Sequence, residues 1–320
     1  MTKMLRNVLS ASRTAYSGAK SSQNSLMPRT LHPRLIALVP LLFVLLWSTG
    51  FIGAKYALPY IEPFNVLFYR MLLNLAAFAL LIRLFEAKPL TTAQKGHQLV
   101  VGLLIHAGYL GGVFAAIKLD MPAGLTALIV GLQPLLTALI TWGSGKEQLR
   151  IIQWLGLLLG IVGISIVLDG NGRLGFSSIN SWALVSIFVA LFAISLGTLY
   201  QKHFGAGTDL LSGSFYQYLA TAVVMGFLTW QFETGEVDWQ LPLILSLAWL
   251  VLGLSVSAIL LLLFMIREGE SSKVASYFYL VPPTTALEAW LLFDEQFTLE
   301  AALGVAITVL GVYLVLKRKG

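Results

Sequence analysis

The sequence predicts an all-α integral membrane protein with ten transmembrane helices arranged as two inverted five-helix repeats, and three observations lead there. Of its 320 residues, 57% are hydrophobic and 11% charged, whereas a soluble domain carries about 25% charged residues and could not hide so much apolar surface. Apolar runs long enough to cross about 30 Å of hydrocarbon follow one another with short connections. Residues 123–168 also align without a gap onto residues 271–316, at an offset of 148.

The ten expected spans are 35–57, 64–84, 97–117, 121–142, 151–168, 181–201, 211–231, 243–266, 272–293 and 299–316. Breaker residues punctuate the connections: Pro59 and Pro63, Pro89, Pro122, Asp169 to Gly172, Gly205 to Gly207, Gly235 and Pro242. Residues 1–33 form a basic cytoplasmic tail with Lys3, Arg6, Arg13, Lys20 and Arg29 and no acid. That composition suits a disordered tail, a chain that starts at Met27, or an organellar transit peptide. The two repeats are expected at 34–169 and 180–317.

The duplication rests on residue types that seldom match by chance in an apolar chain. Pro134/Pro282, Thr137/Thr285, Trp142/Trp290, Glu147/Glu295, Gly156/Gly304 and Gly163/Gly311 pair at the 148 offset. Upstream, Ser48/Ser195, Gly50/Gly197, Lys55/Lys202 and Phe68-Tyr69/Phe215-Tyr216 pair at 147. Five spans per repeat is an odd number, so the halves cross the membrane in opposite senses. The charges set the orientation: Arg83, Lys88, Lys95, Lys146, Arg150 and Lys202 fall on the side of the basic tail, and only Lys118 and Arg173 fall opposite. Both termini are therefore expected in the cytoplasm. The net charge of +6 reports this topology and argues against a nucleic-acid partner.

Several chemistries lack their residues. With no cysteine there is no thiolate chemistry or cysteine-ligated metal. The single Gly-Lys pair, Gly145-Lys146, lacks the neighbours of a phosphate-binding loop, so ATP-driven transport is not expected. No H-E-x-x-H or G-x-S-x-G motif is present. No cofactor, catalytic group or metal site is expected.

Trp47-Ser48-Thr49-Gly50-Phe51-Ile52-Gly53-Ala54-Lys55-Tyr56, followed by Pro63 and Tyr69-Arg70, resembles the opening of EamA-like members of the drug/metabolite transporter superfamily. Ala123 to Leu128, Gln133-Pro134, Glu147 and Gln153-Trp154-Leu155-Gly156 resemble that family's fourth and fifth helices. The resemblance covers about residues 34–317. It implies a carrier in the bacterial inner membrane for small metabolites, often an exporter of amino acids or related compounds, with a central cavity lined by helices one, three, four, six, eight and nine. It names no substrate, and the family's members differ in theirs. A secondary transporter working by alternating access is the favoured expectation; the alternative is a membrane-embedded enzyme or passive channel using Glu288 and His106.

Ionisable residues within spans cost a few kcal/mol and so ask for an explanation. Lys55, Arg70 and Glu288 fall in the outer half of their spans, where Glu288 could pair with Arg70 or Lys55 as an external gate; a permanent ion pair or a snorkelling Lys55 is the alternative. Glu288 is the only carboxylate well inside a span and is the natural site for a coupling proton. His106 stands one α-helical turn before Tyr109, offering a substrate-binding pair or simply a histidine bonded to a neighbouring helix. Pro134 and Pro282 break helices four and nine at matched depth, beside Gln133, as binding cavities in carriers often require. Trp47, Ser48, Tyr277, Tyr279 and Trp290 complete the expected cavity set. The expected partners are a small-molecule substrate, the lipid bilayer and a coupling proton, in a monomer or homodimer.

Overall fold

In the computed structural model, residues 33–145, 149–169, 180–258, 261, 280–293, 295 and 298–316 are described. They are helical, and among them the only β pairing is an isolated bridge between Ile61 and Val237. The helices are α1 Pro33–Ala57, α2 Pro63–Leu84, α3 Thr92–Lys118, α4 Ala123–Val130, α5 Gln133–Gly143, α6 Ile151–Asp169, α7 Ser181–Phe204, α8 Leu210–Phe232, α9 Leu241–Ser257, α10 Val281–Phe293 and α11 Leu299–Leu316. The chain divides into the units Met1–Val39 and Pro40–Gly320. The described part of the first is the opening of α1; the packing below is that of the second.

Five segments are long and apolar enough to cross a membrane: α2, α3, α4 and α5 taken together, α7 and α8. Shorter apolar helices occur at Leu41–Ala57, Ile151–Val167, Leu241–Ser257 and Leu299–Val315. Large side chains point outward, with Trp182 71%, Trp230 77% and Leu299 77% exposed. Apolar surface on this scale would be a liability in water and is expected against hydrocarbon. The expected ninth span begins in residues outside the described ones, and so do Tyr277, Tyr279 and Glu147.

Local chemistry explains the helix ends. Thr91 and Gln94 form a reciprocal capping box at the start of α3. The Asp209 carboxylate accepts from the Ser212 N–H at 3.0 Å to start α8. Pro63 opens α2, where its missing N–H costs nothing. The first amides there, those of Phe64 and Asn65, each donate at 2.7 Å to the Glu233 carboxylate at the end of α8. Burial lifts the Glu233 carboxyl above its usual range, and these two N–H groups pull it back. Glu62 returns the arrangement by accepting from the N–H and hydroxyl of Thr234 at 2.7 and 2.8 Å. Together these bonds clamp the α1–α2 and α8–α9 turns.

Two helices depart from α geometry. Gly102–Gly108 within α3 and Trp249–Ser257 within α9 are π-helical. In α9 the hydroxyls of Ser255 and Ser257 donate to the carbonyls five residues back, those of Leu250 and Leu252, at 3.1 and 2.7 Å. Between α4 and α5 the helix is interrupted at Gly131 and Leu132, because Pro134 has no N–H for the Val130 carbonyl and its ring crowds that group.

The seam between α6 and α11 is built from glycine. A Cβ on Gly156 would lie 2.6 Å from the Gly311 carbonyl oxygen, and one on Gly163 would lie 2.6 Å from that of Gly304. Val315 packs over Gly156 and Val167 over Gly304. Residue numbers rise on one helix as they fall on the other, so the two run antiparallel at backbone contact.

Candidate functional site

The interior holds two polar clusters on an otherwise apolar scaffold. The first joins α1 to α10. Ser48 is fully buried, with Oγ 2.7 Å from Glu288 Oε1 and 2.9 Å from the Leu45 carbonyl oxygen. Thr285 donates to the Ser48 carbonyl at 3.4 Å. Glu288 Oε2 is buried and has no hydrogen-bond partner among the described residues. Among the described residues no cation pairs with this carboxyl, and the pairing with Lys55 or Arg70 is not present in this structure.

Lys55 instead pairs with Glu295 at 2.5 Å, with its ammonium 4.4 Å from the centre of the Phe293 ring. The same Glu295 carboxylate accepts from the backbone N–H groups of Ala123 and Gly124 at 2.9 and 3.2 Å. It therefore serves as ion partner for α1 and as cap for α4, where the partial positive charge of a helix start favours an anion. Lys118 donates to the Leu58 carbonyl at 2.7 Å. Glu295 is absent from the expected site set, although its repeat match with Glu147 marks it in the sequence.

The second cluster lies among α2, α3, α8 and α9. Arg70 Nη2 and Asn74 Nδ2 both donate to Ser255 Oγ, at 3.2 and 3.1 Å. His106 Nε2 lies 3.1 Å from Gln217 Oε1, and Gln217 Nε2 donates to Gln98 Oε1 at 2.5 Å. The His106 ring also sits 4.9 Å from that of Tyr218. His106, Tyr109 and Tyr218 are all within electrostatic reach of Arg70. The α-helical spacing expected to place Tyr109 over His106 does not hold, since the π segment ending at Gly108 widens the turn between them and the Tyr109 N–H bonds back to the Leu104 carbonyl. Asn74, Gln98, Gln217 and Ser255 escaped the sequence reading, although each is a polar residue inside an apolar run.

Gln133 donates to Thr198 Oγ1 on α7 at 2.8 Å. The interruption that precedes it meets Pro282 on α10: a Cβ on Gly131 would come within 2.7 Å of the proline ring. Pro282 thus packs against the break that Pro134 imposes on the helix. Trp47 is half-buried, 5.4 Å from Phe43 ring to ring. Trp290 and its repeat match Trp142 are similarly exposed, at 47% and 46%. Among the described residues, no group of His, Asp and Glu is arranged to hold a metal ion.

The chain is similar to known proteins along most of its length. The uncharacterized transporter YvbV of Bacillus subtilis is 26% identical over 90% of this chain and 92% of its own. The uncharacterized inner membrane transporter YedA of Escherichia coli is 27% identical over 68% of this chain and 69% of its own. A protein of known crystal structure superposes with a TM-score of 0.61 and 20% identity over 88% of this chain and 96% of its own, a likeness of fold. The model of the EamA-like transporter family matches twice, at residues 34–169 and 181–317. Helices of membrane-spanning length, with polar groups gathered inside an apolar shell, agree with that match, and the chain belongs to the EamA-like transporter family.

Proposed function

We propose that the protein is a secondary transporter that exports amino acids or related small metabolites across a bacterial-type inner membrane by alternating access, with a proton on Glu288 coupled to the cycle. In this reading, residues 34–169 and 180–317 are inverted five-helix halves, residues 1–33 are a tail, and both termini are cytoplasmic. The E. coli relative named as an inner membrane transporter supports the location. The inversion is supported by the α6–α11 seam, where the contacts Gly156–Gly311 and Gly163–Gly304 exchange under the 148 offset, as do Gly156–Val315 and Gly304–Val167. It is supported again by the π segments, which start at Gly102 and Trp249, a separation of 147.

The observation that carries the coupling role is the hydrogen count at Ser48. A serine hydroxyl has one proton to donate, yet Ser48 Oγ lies at bonding distance from both the Leu45 carbonyl and Glu288 Oε1. A neutral Glu288 resolves this, its own proton going to Ser48 Oγ while Ser48 satisfies Leu45. A charged carboxylate at membrane depth, with one oxygen lacking any partner among the described residues, would be far more costly. The site can therefore take up and release a proton as access to water changes.

The testing experiment is exchange of labelled amino acids in reconstituted vesicles. Saturable counterflow with trans-stimulation is expected. Conduction without trans-stimulation would make the protein a channel, and a chemically altered compound would make it an enzyme.

A further inference from the structure

We infer that Arg70 is the group that binds the substrate's carboxylate, with Asn74 beside it receiving a hydrogen-bond donor from the same molecule; this rests on the transporter reading and narrows its substrate to amino or hydroxy acids.

Arg70 is 5% exposed, and the only ion pair among the described residues is that of Lys55 with Glu295. A guanidinium stays charged and offers five N–H donors, two of them forming a side-on fork across Nε and Nη2. Here Nη2 reaches Ser255 Oγ at 3.2 Å, while Nε is buried with no partner among the described residues. One edge of the cation therefore lacks its acceptor. On the same Ser255 hub, fully buried Asn74 donates through Nδ2 and leaves Oδ1 buried, with no partner among the described residues. A buried donor and a buried acceptor, both without partners among the described residues and on adjoining turns of α2, match a molecule with a carboxylate and a neighbouring ammonium or hydroxyl group.

A buried charge without its counter-ion persists at considerable cost, and partners placed around it ordinarily remove that cost. The residues around Arg70 do not: Ser255, Tyr109, Tyr218 and His106 are dipolar or aromatic, and no described acid sits with them. The two π segments border this cluster, and such segments occur frequently at functional sites. Binding of a carboxylate in the Nε–Nη2 fork would complete the guanidinium and add charge-assisted hydrogen bonds absent from the empty protein.

The test is thermal unfolding of the purified full-length protein with millimolar L-alanine, L-phenylalanine, L-lactate and 3-phenyllactate, against lactamide and 3-phenyllactamide as uncharged counterparts. At least one acid should raise the midpoint with rising concentration, and neither amide should. Arg70→Gln should weaken that acid roughly tenfold or more, while unliganded Arg70→Gln should unfold no earlier than the wild type, because an uncompensated charge has been removed. An earlier unfolding of unliganded Arg70→Gln would make Arg70 a structural group and overturn the inference. Equal stabilisation of wild type and variant, or no stabilisation by any acid, would overturn it also. Counterflow of neutral compounds that survives Arg70→Gln would retain the transporter and discard the carboxylate site; acid binding lost with Arg70→Gln, in vesicles that show no counterflow, would retain the site and discard the transporter.

Discussion

Lys55 Nζ lies 2.5 Å from Glu295 Oε1, and through that carboxylate α1 is tied to the first amides of α4. One acid thus joins an ion pair and a helix cap at one end of the bundle. Glu295→Ala removes all three bonds, and thermal unfolding should show a loss of about 1–3 kcal/mol. Lys55→Met leaves the cap in place and, with Lys55 partly exposed, should cost about 0–1 kcal/mol. Equal effects would mean that the cap contributes nothing.

The α6–α11 seam leaves no room for side chains. A Cβ at Gly311 would lie 2.6 Å from backbone atoms of both Gly156 and Gly160. Gly311→Val should therefore separate the helices and cost about 1–3 kcal/mol or more. Gly96 in α3 has nothing within 4 Å of the same position. Gly96→Ala should stabilise by about 0.5–1 kcal/mol through helix propensity alone. Thermal midpoints of the two variants, read side by side, check the close approach.

Gln217 holds His106 and Gln98 together. Gln217→Leu should strand two polar groups, each at about 1–3 kcal/mol. His106→Leu combined with Gln217→Leu should cost less than the sum of the single changes, because the stranded imidazole is gone. Additive costs in a double-mutant cycle would break the proposed link.

The membrane class was legible because it depends on composition and run length, which need no tertiary information. The interruption before Pro134 was legible too, since a proline removes its hydrogen bond wherever it stands. The partners of Lys55 and Glu288 were not. Both are ionisable residues inside expected spans, but which acid faces which base depends on helix rotation, and Glu295 is 240 residues from Lys55. The π segments were equally hidden, because nothing in Gly102–Gly108 marks it off from an α-helical run until the Gln217 backbone is found pressed against Gly102.

Glu288 bonded to Ser48, with no cation paired to it among the described residues, is the centre of the account. The measurement that tests it most directly is transport by Glu288→Gln in vesicles, comparing counterflow at equal pH with accumulation driven by an imposed proton gradient. Glutamine keeps the shape and can still bond Ser48, but it cannot release a proton. Counterflow should persist and become independent of pH, while gradient-driven accumulation is lost. Accumulation at the wild-type level, with unchanged pH dependence of counterflow, would contradict the coupling role of Glu288.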